Sequence, residues 1–236
     1  MTSLLPELFS TAGDSWTVAI AWLSLAFVLG LVHAFDADHV MALSVFATRK
    51  KGVREGVRTG LRWAAGHGLV LLAVGLVLLL LGHSLPTRIV IVAERLVGMA
   101  MIVLGASVWI DLARRRSHLH FHAHDDLPPH AHWHTHEDDG HRHQHGALMV
   151  GALHGLAGSA PILAVLPAAA RSPLLGLAYL LLFAVGVALA MAFVSGLIGH
   201  FAGRLSQPAR AGGLSTLRAC CASGSITLGV WLALAG

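Results

Sequence analysis

Residues 16–47, WTVAIAWLSLAFVLGLVHAFDADHVMALSVFA, form an apolar run with a polar insert near its centre. A helix that crosses a bilayer needs roughly 20 mainly apolar residues. This run exceeds that length, and the segment from Gly30 to His39 interrupts it. Broken helices in transporters line the cavity in which ions and substrates bind. We therefore predict a membrane span that is broken in its second half.

Five further stretches are long and apolar enough to cross a membrane: 63–81, 89–110, 146–170, 173–201 and 214–235. Of the 236 residues, 56% are apolar and only 12% are charged. Soluble domains carry about a quarter charged residues, so the composition excludes a water-soluble enzyme. The prediction is an all-α polytopic membrane protein with six transmembrane helices.

The spans divide into two groups of three around a long polar loop. The predicted parts are an N-terminal three-helix half (1–112), a His-rich loop (113–146) and a C-terminal three-helix half (147–236). Because each half has an odd number of spans, the second half must be inverted relative to the first, a layout found in many transporters. A short Gly-x-x-His match between Gly30 and Gly151 fits such a repeat.

The basic residues predict the orientation in the membrane. Lys and Arg cluster after the first, third and fifth spans, whereas the opposite side has only Arg88 and Arg171. The positive-inside rule then puts the long loop in the cytoplasm and both termini outside. Because these few basic residues flank apolar runs, the net charge of +4 does not indicate a nucleic-acid partner. No basic residue precedes the first apolar run, so we do not expect a cleaved signal peptide.

The third loop, 117–145, reads SHLHFHAHDDLPPHAHWHTHEDDGHRHQH and holds 11 of the 17 histidines. It lacks apolar periodicity and contains two consecutive prolines, so we predict disorder in the absence of metal. Imidazoles with a pKa near 6.5 are mostly neutral at cytoplasmic pH and can bind metal. We predict several weak, exchanging sites that buffer metal, although a solvated linker is the alternative. The histidines are His118, His120, His122, His124, His130, His132, His134, His136, His141, His143 and His145.

The break in the first span carries His33, Asp36, Asp38 and His39 within seven residues. Ionisable groups inside a membrane are expensive unless they are paired or hydrated, so they indicate a functional site. In a regular helix, His33, Asp36 and His39 share one broad face, and a local break would let Asp38 join them. Imidazole nitrogen with carboxylate oxygen suits Ni²⁺, Co²⁺, Zn²⁺ or Fe²⁺. The alternatives are hydrogen bonding among these groups across helices and a proton relay.

Two further histidines lie in apolar spans beside glycines. His67 stands between Gly66 and Gly68, and Gly155 follows His154. Such glycines let another backbone or an ion approach closely. Taken together with the first cluster, His67 and His154 are predicted to be metal ligands or neighbours of ligands. The chain has neither a GxxxxGK[ST] phosphate loop nor an HExxH motif, so we predict no catalytic residues and no permanently bound cofactor.

The motifs resemble those of the NiCoT nickel/cobalt permeases. The segment from His33 to His39 matches their HxxxxDH signature, and Gly66-His67 resembles their second signature. The segment 151–160 resembles a later segment of the urease-accessory branch of that superfamily. The chain departs from the large members in having six predicted spans instead of eight, in having Gly68 where Ser is usual, and in lacking their third signature.

This resemblance implies a secondary permease in the cell membrane that moves Ni²⁺, and in addition Co²⁺, most simply by uptake. It further implies cytoplasmic nickel chaperones for urease or hydrogenase as partners, beside the metal ion and the lipid bilayer. A nickel or cobalt exporter is the first alternative, since exporters of the superfamily also have His-rich loops. A zinc exporter and a membrane-bound metal-storage protein are the others.

Overall fold

The computed structural model describes residues 4–49, 52–81, 86–114, 119–124, 127–133, 144–157, 172–207 and 211–235. The helices are α1 (Leu4–His33), α2 (Ala37–Ala47), α3 (Val53–Leu81), α4 (Thr87–Arg114), α5 (Gln144–Ala157), α6 (Pro173–Leu205) and α7 (Ala211–Ala235). Two short strands, β1 (Leu119–His124) and β2 (Leu127–Trp133), lie between α4 and α5.

The helical bundle confirms the predicted all-α polytopic class. Five helices are long and apolar enough to cross a membrane, namely α1, α3, α4, α6 and α7. Their outer faces expose large apolar side chains, among them Leu80, Val103 and Phe193, as expected of a surface covered by lipid. The predicted span 146–170 is represented by α5, and its remainder, 158–170, lies outside the described residues. The predicted count of six spans is therefore untested.

The short helix α2 occupies the middle of the bundle. It packs against α3, α4, α5, α6 and α7, and its residues from Leu43 to Ala47 are buried. Among the long helices, α3 packs against α5 and α6, α1 packs against α6, and α4 packs against α7. The core that they share includes the fully buried rings of Trp63, Tyr179 and Phe183. The C-terminal part of α2 is thus enclosed by other helices, whereas Asp36 and Ala37 at its start are exposed.

Helix contacts in the first half of the chain have counterparts in the second half. A Cβ atom at Gly98 on α4 would lie 2.6 Å from the carbonyl oxygen of Gly229 on α7, and a Cβ atom at Gly229 would lie 2.6 Å from that of Gly98. The pairing of α1 with α6 is matched in the same way by the pairing of α5 with α3. This correspondence is what an inverted repeat of three helices would produce.

The third loop differs from the disordered segment that the sequence predicted. β1 and β2 pair as an antiparallel hairpin, in which the Cα atom of His120 lies opposite that of His132 and His122 opposite His130. The physical reason lies in the H-x-H spacing, since alternation with a period of two is also the pattern of a strand. The loop residues 115–118, 125–126 and 134–143 lie outside the described residues.

Candidate metal centre

The predicted break in the first span is present between α1 and α2. The amide of Phe35 donates to the carbonyl of Val32 at 2.9 Å, and that of Asp36 donates to the carbonyl of His33 at 3.0 Å. These three-residue hydrogen bonds tighten and end α1. A new helix begins at Ala37, and the rings of His33 and His39 then lie 4.6 Å apart between their centroids. The break brings the two histidines of the motif face to edge.

Each of these imidazoles is held by a carboxylate of the same motif. Nδ1 of His33 lies 2.8 Å from Oδ2 of Asp36, and Nδ1 of His39 lies 2.8 Å from Oδ1 of Asp38. When Nδ1–H donates to a carboxylate, Nε2 keeps its lone pair and becomes the better ligand atom. The Asp36 side chain is 53% exposed, whereas that of Asp38 is 26% exposed, so Asp38 is the more enclosed partner.

The two isolated histidines join this cluster from other helices. The ring of His67 on α3 lies 5.5 Å from that of His33 and 5.2 Å from that of His39. The ring of His154 on α5 lies 5.2 Å from that of His39, and its Nε2 lies 3.8 Å from Oδ2 of Asp38. All six predicted site residues in the spans therefore come together, and their role as metal ligands stays a prediction.

The glycines beside the histidines allow α3 and α5 to approach this closely. A Cβ atom at Gly66 would collide with the backbone carbonyl of Leu148, and a Cβ atom at Gly155 would collide with that of His67. The two helices thus touch through their backbones at the level of the imidazoles. Gly68 is different, since a Cβ atom there would meet only the Ala184 side chain at an ordinary 3.7 Å.

His154 is oriented by the backbone of its own helix. Its Nδ1 lies 2.8 Å from the carbonyl oxygen of Val150, one turn earlier in α5. A carbonyl oxygen can only accept, so Nδ1 carries the hydrogen and Nε2 of the neutral ring is an acceptor. His154 therefore has the same tautomer as His33 and His39, with a lone pair on Nε2, but a backbone carbonyl instead of a carboxylate accepts its hydrogen bond.

The cluster leaves buried ring nitrogens without hydrogen-bond partners. Within the described residues, these atoms are Nε2 of His33, His39 and His154 and both ring nitrogens of His67. A buried polar atom without a partner costs about 1–3 kcal/mol, so five in one place demand an explanation. A bound cation would satisfy four of them, one in each ring, because an imidazole lone pair is a metal ligand.

The spacing of these atoms is close to that of a metal site. Ligand atoms from His33, His39 and His67 lie within 4.8 Å of one another, and so do those from Asp36, Asp38 and His39. Nitrogen ligands at 2.0–2.1 Å from an ion lie about 3–4 Å from each other. The ligand atoms of His33, His39 and His67 are therefore near the spacing that one ion requires.

The sequence analysis missed two aromatic rings that frame the cluster. Trp63 stacks on His67, with ring centroids 5.0 Å apart and planes 12° from parallel, and also contacts His39 at 4.9 Å and His154 at 5.4 Å. Phe183 on α6 contacts His33 at 5.4 Å. Trp63 precedes His67 by four residues, so helix periodicity places both on one face and could have indicated it. No local signal marks Phe183.

The histidines of the loop were also predicted to bind metal. The backbone register brings the Cα atoms of His120 and His132 opposite each other, as it does those of His122 and His130. The side chains of this loop lie outside the described residues, so the predicted buffering role stays a prediction.

The fold belongs to a known class of membrane protein. Residues 25–231 match the family described as the cytochrome c biogenesis protein transmembrane region. This match covers most of the chain, including all seven helices in whole or in part, and the chain belongs to this family. It is a different family from the NiCoT permeases that the motifs resemble. No solved structure matches the chain.

Two relatives extend the comparison. The chain is 31% identical over 179 residues to the urease accessory protein UreH of Bacillus sp. (strain TB-90), a match that covers 75% of each chain. It is 28% identical over 204 residues to the chloroplast protein FOR GROWTH AND FERTILITY 1 of Arabidopsis thaliana, a match that covers 84% of this chain and 54% of that protein. The first relative supports the urease-accessory likeness seen in the motifs.

Proposed function

We propose that this protein is a secondary permease that carries Ni²⁺, and in addition Co²⁺, across the cell membrane into the cytoplasm. The observation that supports the proposal is the convergence of four imidazoles, from four separate helices, whose buried Nε2 atoms have no partner among the described residues. The urease-accessory name of one relative points in the same direction.

The donor set favours borderline divalent metals. Four imidazoles offer nitrogen ligands, which suit Ni²⁺, Co²⁺, Zn²⁺ and Fe²⁺ better than the hard ions Mg²⁺ and Ca²⁺. The described part of the cluster contains no thiolate, so it does not favour a soft Cu(I) ion. Among the remaining metals, the NiCoT-like motif is the reason for proposing nickel and cobalt.

The roles within the site follow from the hydrogen bonds. We assign the ligand role to Nε2 of His33, His39, His67 and His154. Asp36 and Asp38 hold two of these rings in the correct tautomer and offset the charge of the incoming dication. His67, whose ring nitrogens both lack a partner among the described residues, is oriented by its stacking on Trp63.

The membrane potential supplies a driving force for uptake. A dication gains about 4.6 kcal/mol per 100 mV of inside-negative potential, twice the value for a single charge. This corresponds to a concentration ratio of roughly a thousandfold. Uptake therefore needs no ATP and no phosphate-binding loop, in agreement with the motifs of the chain.

The test is nickel flux into proteoliposomes that hold the full chain, with an imposed inside-negative potential. We expect saturable uptake that rises with the potential and is inhibited by cobalt. His39→Ala should abolish this flux while the protein remains folded in the membrane. His200→Ala is the matched control, because His200 lies near the end of α6 and its ring contacts that of Phe201. Equal fluxes for both variants would contradict the proposal.

The same assay separates the alternatives. An exporter would move nickel outward from energised cells and would make them more resistant to it. A zinc exporter would prefer zinc in competition, and a storage protein would bind metal without saturable flux. Each of these results would replace uptake as the function of the site.

A further inference from the structure

The metal centre has a corresponding pair of residues in each half of the chain. In the first half, Gly30 is followed three residues later by His33, and in the second half Gly151 is followed by His154. A Cβ atom at Gly30 would collide with the backbone of Phe183, and a Cβ atom at Gly151 would collide with that of Trp63. In both halves, therefore, the glycine three residues before the histidine packs against the backbone of an aromatic residue in the other half.

The side chains follow the backbone correspondence. The ring centroids of His33 and Phe183 lie 5.4 Å apart, and those of His154 and Trp63 also lie 5.4 Å apart. Trp63 and Phe183 have almost no solvent exposure, 0% and 1% respectively. The histidine of each half is thus in contact with a fully buried aromatic ring of the other half.

The two aromatic residues stand at different levels of the bundle. α3 and α6 run antiparallel, since Gly56 approaches Ser195 and Gly60 approaches Met191. In this register Trp63 is level with Ala188, which lies five residues beyond Phe183 on α6. At 1.5 Å per residue the two aromatic positions are about 7.5 Å apart along the helix axes. Each of the four imidazoles contacts one of these two rings.

The ligand atoms of the imidazoles are closed off from solvent, and two aromatic rings pack against them. The Nε2 atoms of all four imidazoles are buried, whereas the carboxylates of Asp36 and Asp38 beside them are 53% and 26% exposed. Phe183 contacts His33, and Trp63 contacts His154 as well as His39 and His67. Alternating access requires that one end opens while the other stays closed.

We infer that Phe183 and Trp63 are the two gates of the metal centre, each closing one side of the membrane. The inference rests on the proposed function, since a gate has a purpose only if an ion passes through. Movement of Phe183 away from His33 opens the centre on one side, and movement of Trp63 away from His154 opens it on the other. The repeat then explains why two rings of similar size occupy corresponding positions.

The test measures access to the centre from each side, independently of transport. In a Cys220→Ser, Cys221→Ser background, His33→Cys or His154→Cys introduces a reporter thiol. A membrane-impermeant maleimide is applied to intact cells and to inverted vesicles, and the labelling rate of the thiol is measured. The reporter reads access even if no variant carries nickel.

We expect Phe183→Ala to raise the labelling rate at position 33 at least tenfold from one side only, without changing position 154. Trp63→Ala should raise the rate at position 154 from the opposite side, without changing position 33. Phe193→Ala is the matched control, since Phe193 lies on the same helix and is 67% exposed. It should change neither rate. The side on which each effect appears assigns the gates.

The inference is overturned if both alanine variants open the same side, or if neither alters labelling by more than the Phe193→Ala control does. Should an alanine variant fail to reach the membrane, Phe183→Leu or Trp63→Leu replaces it and should show the same sidedness with a smaller increase. Nickel binding to the protein without these substitutions, measured by equilibrium dialysis, is the separate check. Its absence would refute the proposed function, whereas the labelling pattern decides the gates.

Discussion

Replacing Asp38 by Asn tests how the carboxylates support the metal centre. The substitution keeps the size of the side chain but removes its charge. Oδ1 of Asp38 accepts a hydrogen bond from Nδ1 of His39 at 2.8 Å, and Oδ2 lies 3.8 Å from Nε2 of His154. The change therefore acts on two of the four imidazoles at once, without removing a ring.

The expected loss can be worked out from this contact. A hydrogen bond to a charged group contributes about 1.5–3 kcal/mol and a neutral one about 0.5–1.5 kcal/mol, so the difference is about 1–1.5 kcal/mol. Removing the carboxylate that orients a metal-binding imidazole weakens metal affinity about 10-fold to 100-fold, or about 1.4–2.8 kcal/mol. We therefore expect the nickel Kd of Asp38→Asn to rise about 10-fold to 100-fold.

The assay is calorimetric or dialysis titration of the purified full-length protein with Ni²⁺. Asp36→Asn is the matched comparison, because Asp36 makes the equivalent bond to His33 but its side chain is 53% exposed. Solvent screening weakens an exposed pair, so its effect should be the smaller one. A Kd for Asp38→Asn within about twofold of the wild-type value would refute the reasoning, as would a larger effect of Asp36→Asn.

Three further predictions concern other parts of the molecule. His154→Ala should raise the apparent KM for nickel more than it lowers the maximal rate, since His154 lies outside the group of His33, His39 and His67 whose ligand atoms are within 4.8 Å of one another; unchanged initial rates over a concentration series would show that His154 is a packing residue. Deleting 117–145 and joining the ends with a flexible linker should reduce the number of nickel ions bound per protein but change the initial uptake rate less than about threefold; complete loss of uptake in a correctly inserted variant would place the loop in the pathway. Gly98→Val should destabilise the bundle by several degrees in a thermal aggregation assay, because even a Cβ atom there would lie 2.6 Å from the carbonyl oxygen of Gly229; Gly212→Ala, with nothing within 4 Å, is the neutral control.

The sequence predicted those features that repeat along one helix. Apolar runs predicted the spans, because a helix in lipid must satisfy its backbone internally and present apolar side chains. The polar insert between Gly30 and His39 predicted the break, which the structure places between His33 and Ala37. Glycines beside His67 and His154 predicted a close approach, and α3 and α5 do touch there.

The features that the sequence did not reveal depend on contacts between distant segments. Phe183 is one of many apolar residues in α6, and only the packing of α1 on that helix marks it. Trp63 also contacts His39 on α2 and His154 on α5, which no pattern along α3 indicates. In the loop, H-x-H spacing fits both an extended disordered segment and a strand, and a partner strand is needed for the second.

The break between α1 and α2 also has an electrostatic consequence. A helix carries about half a positive charge at its N-terminus and half a negative charge at its C-terminus. The N-terminus of α2 would therefore repel a dication approaching His39. Asp36, at the N-cap position, makes no capping hydrogen bond through its side chain, and Asp38 lies in the first turn. Their two negative charges outweigh the positive end of the α2 dipole, and the negative end of the α1 dipole adds to them. The interruption of the helix therefore creates an electric field that attracts cations.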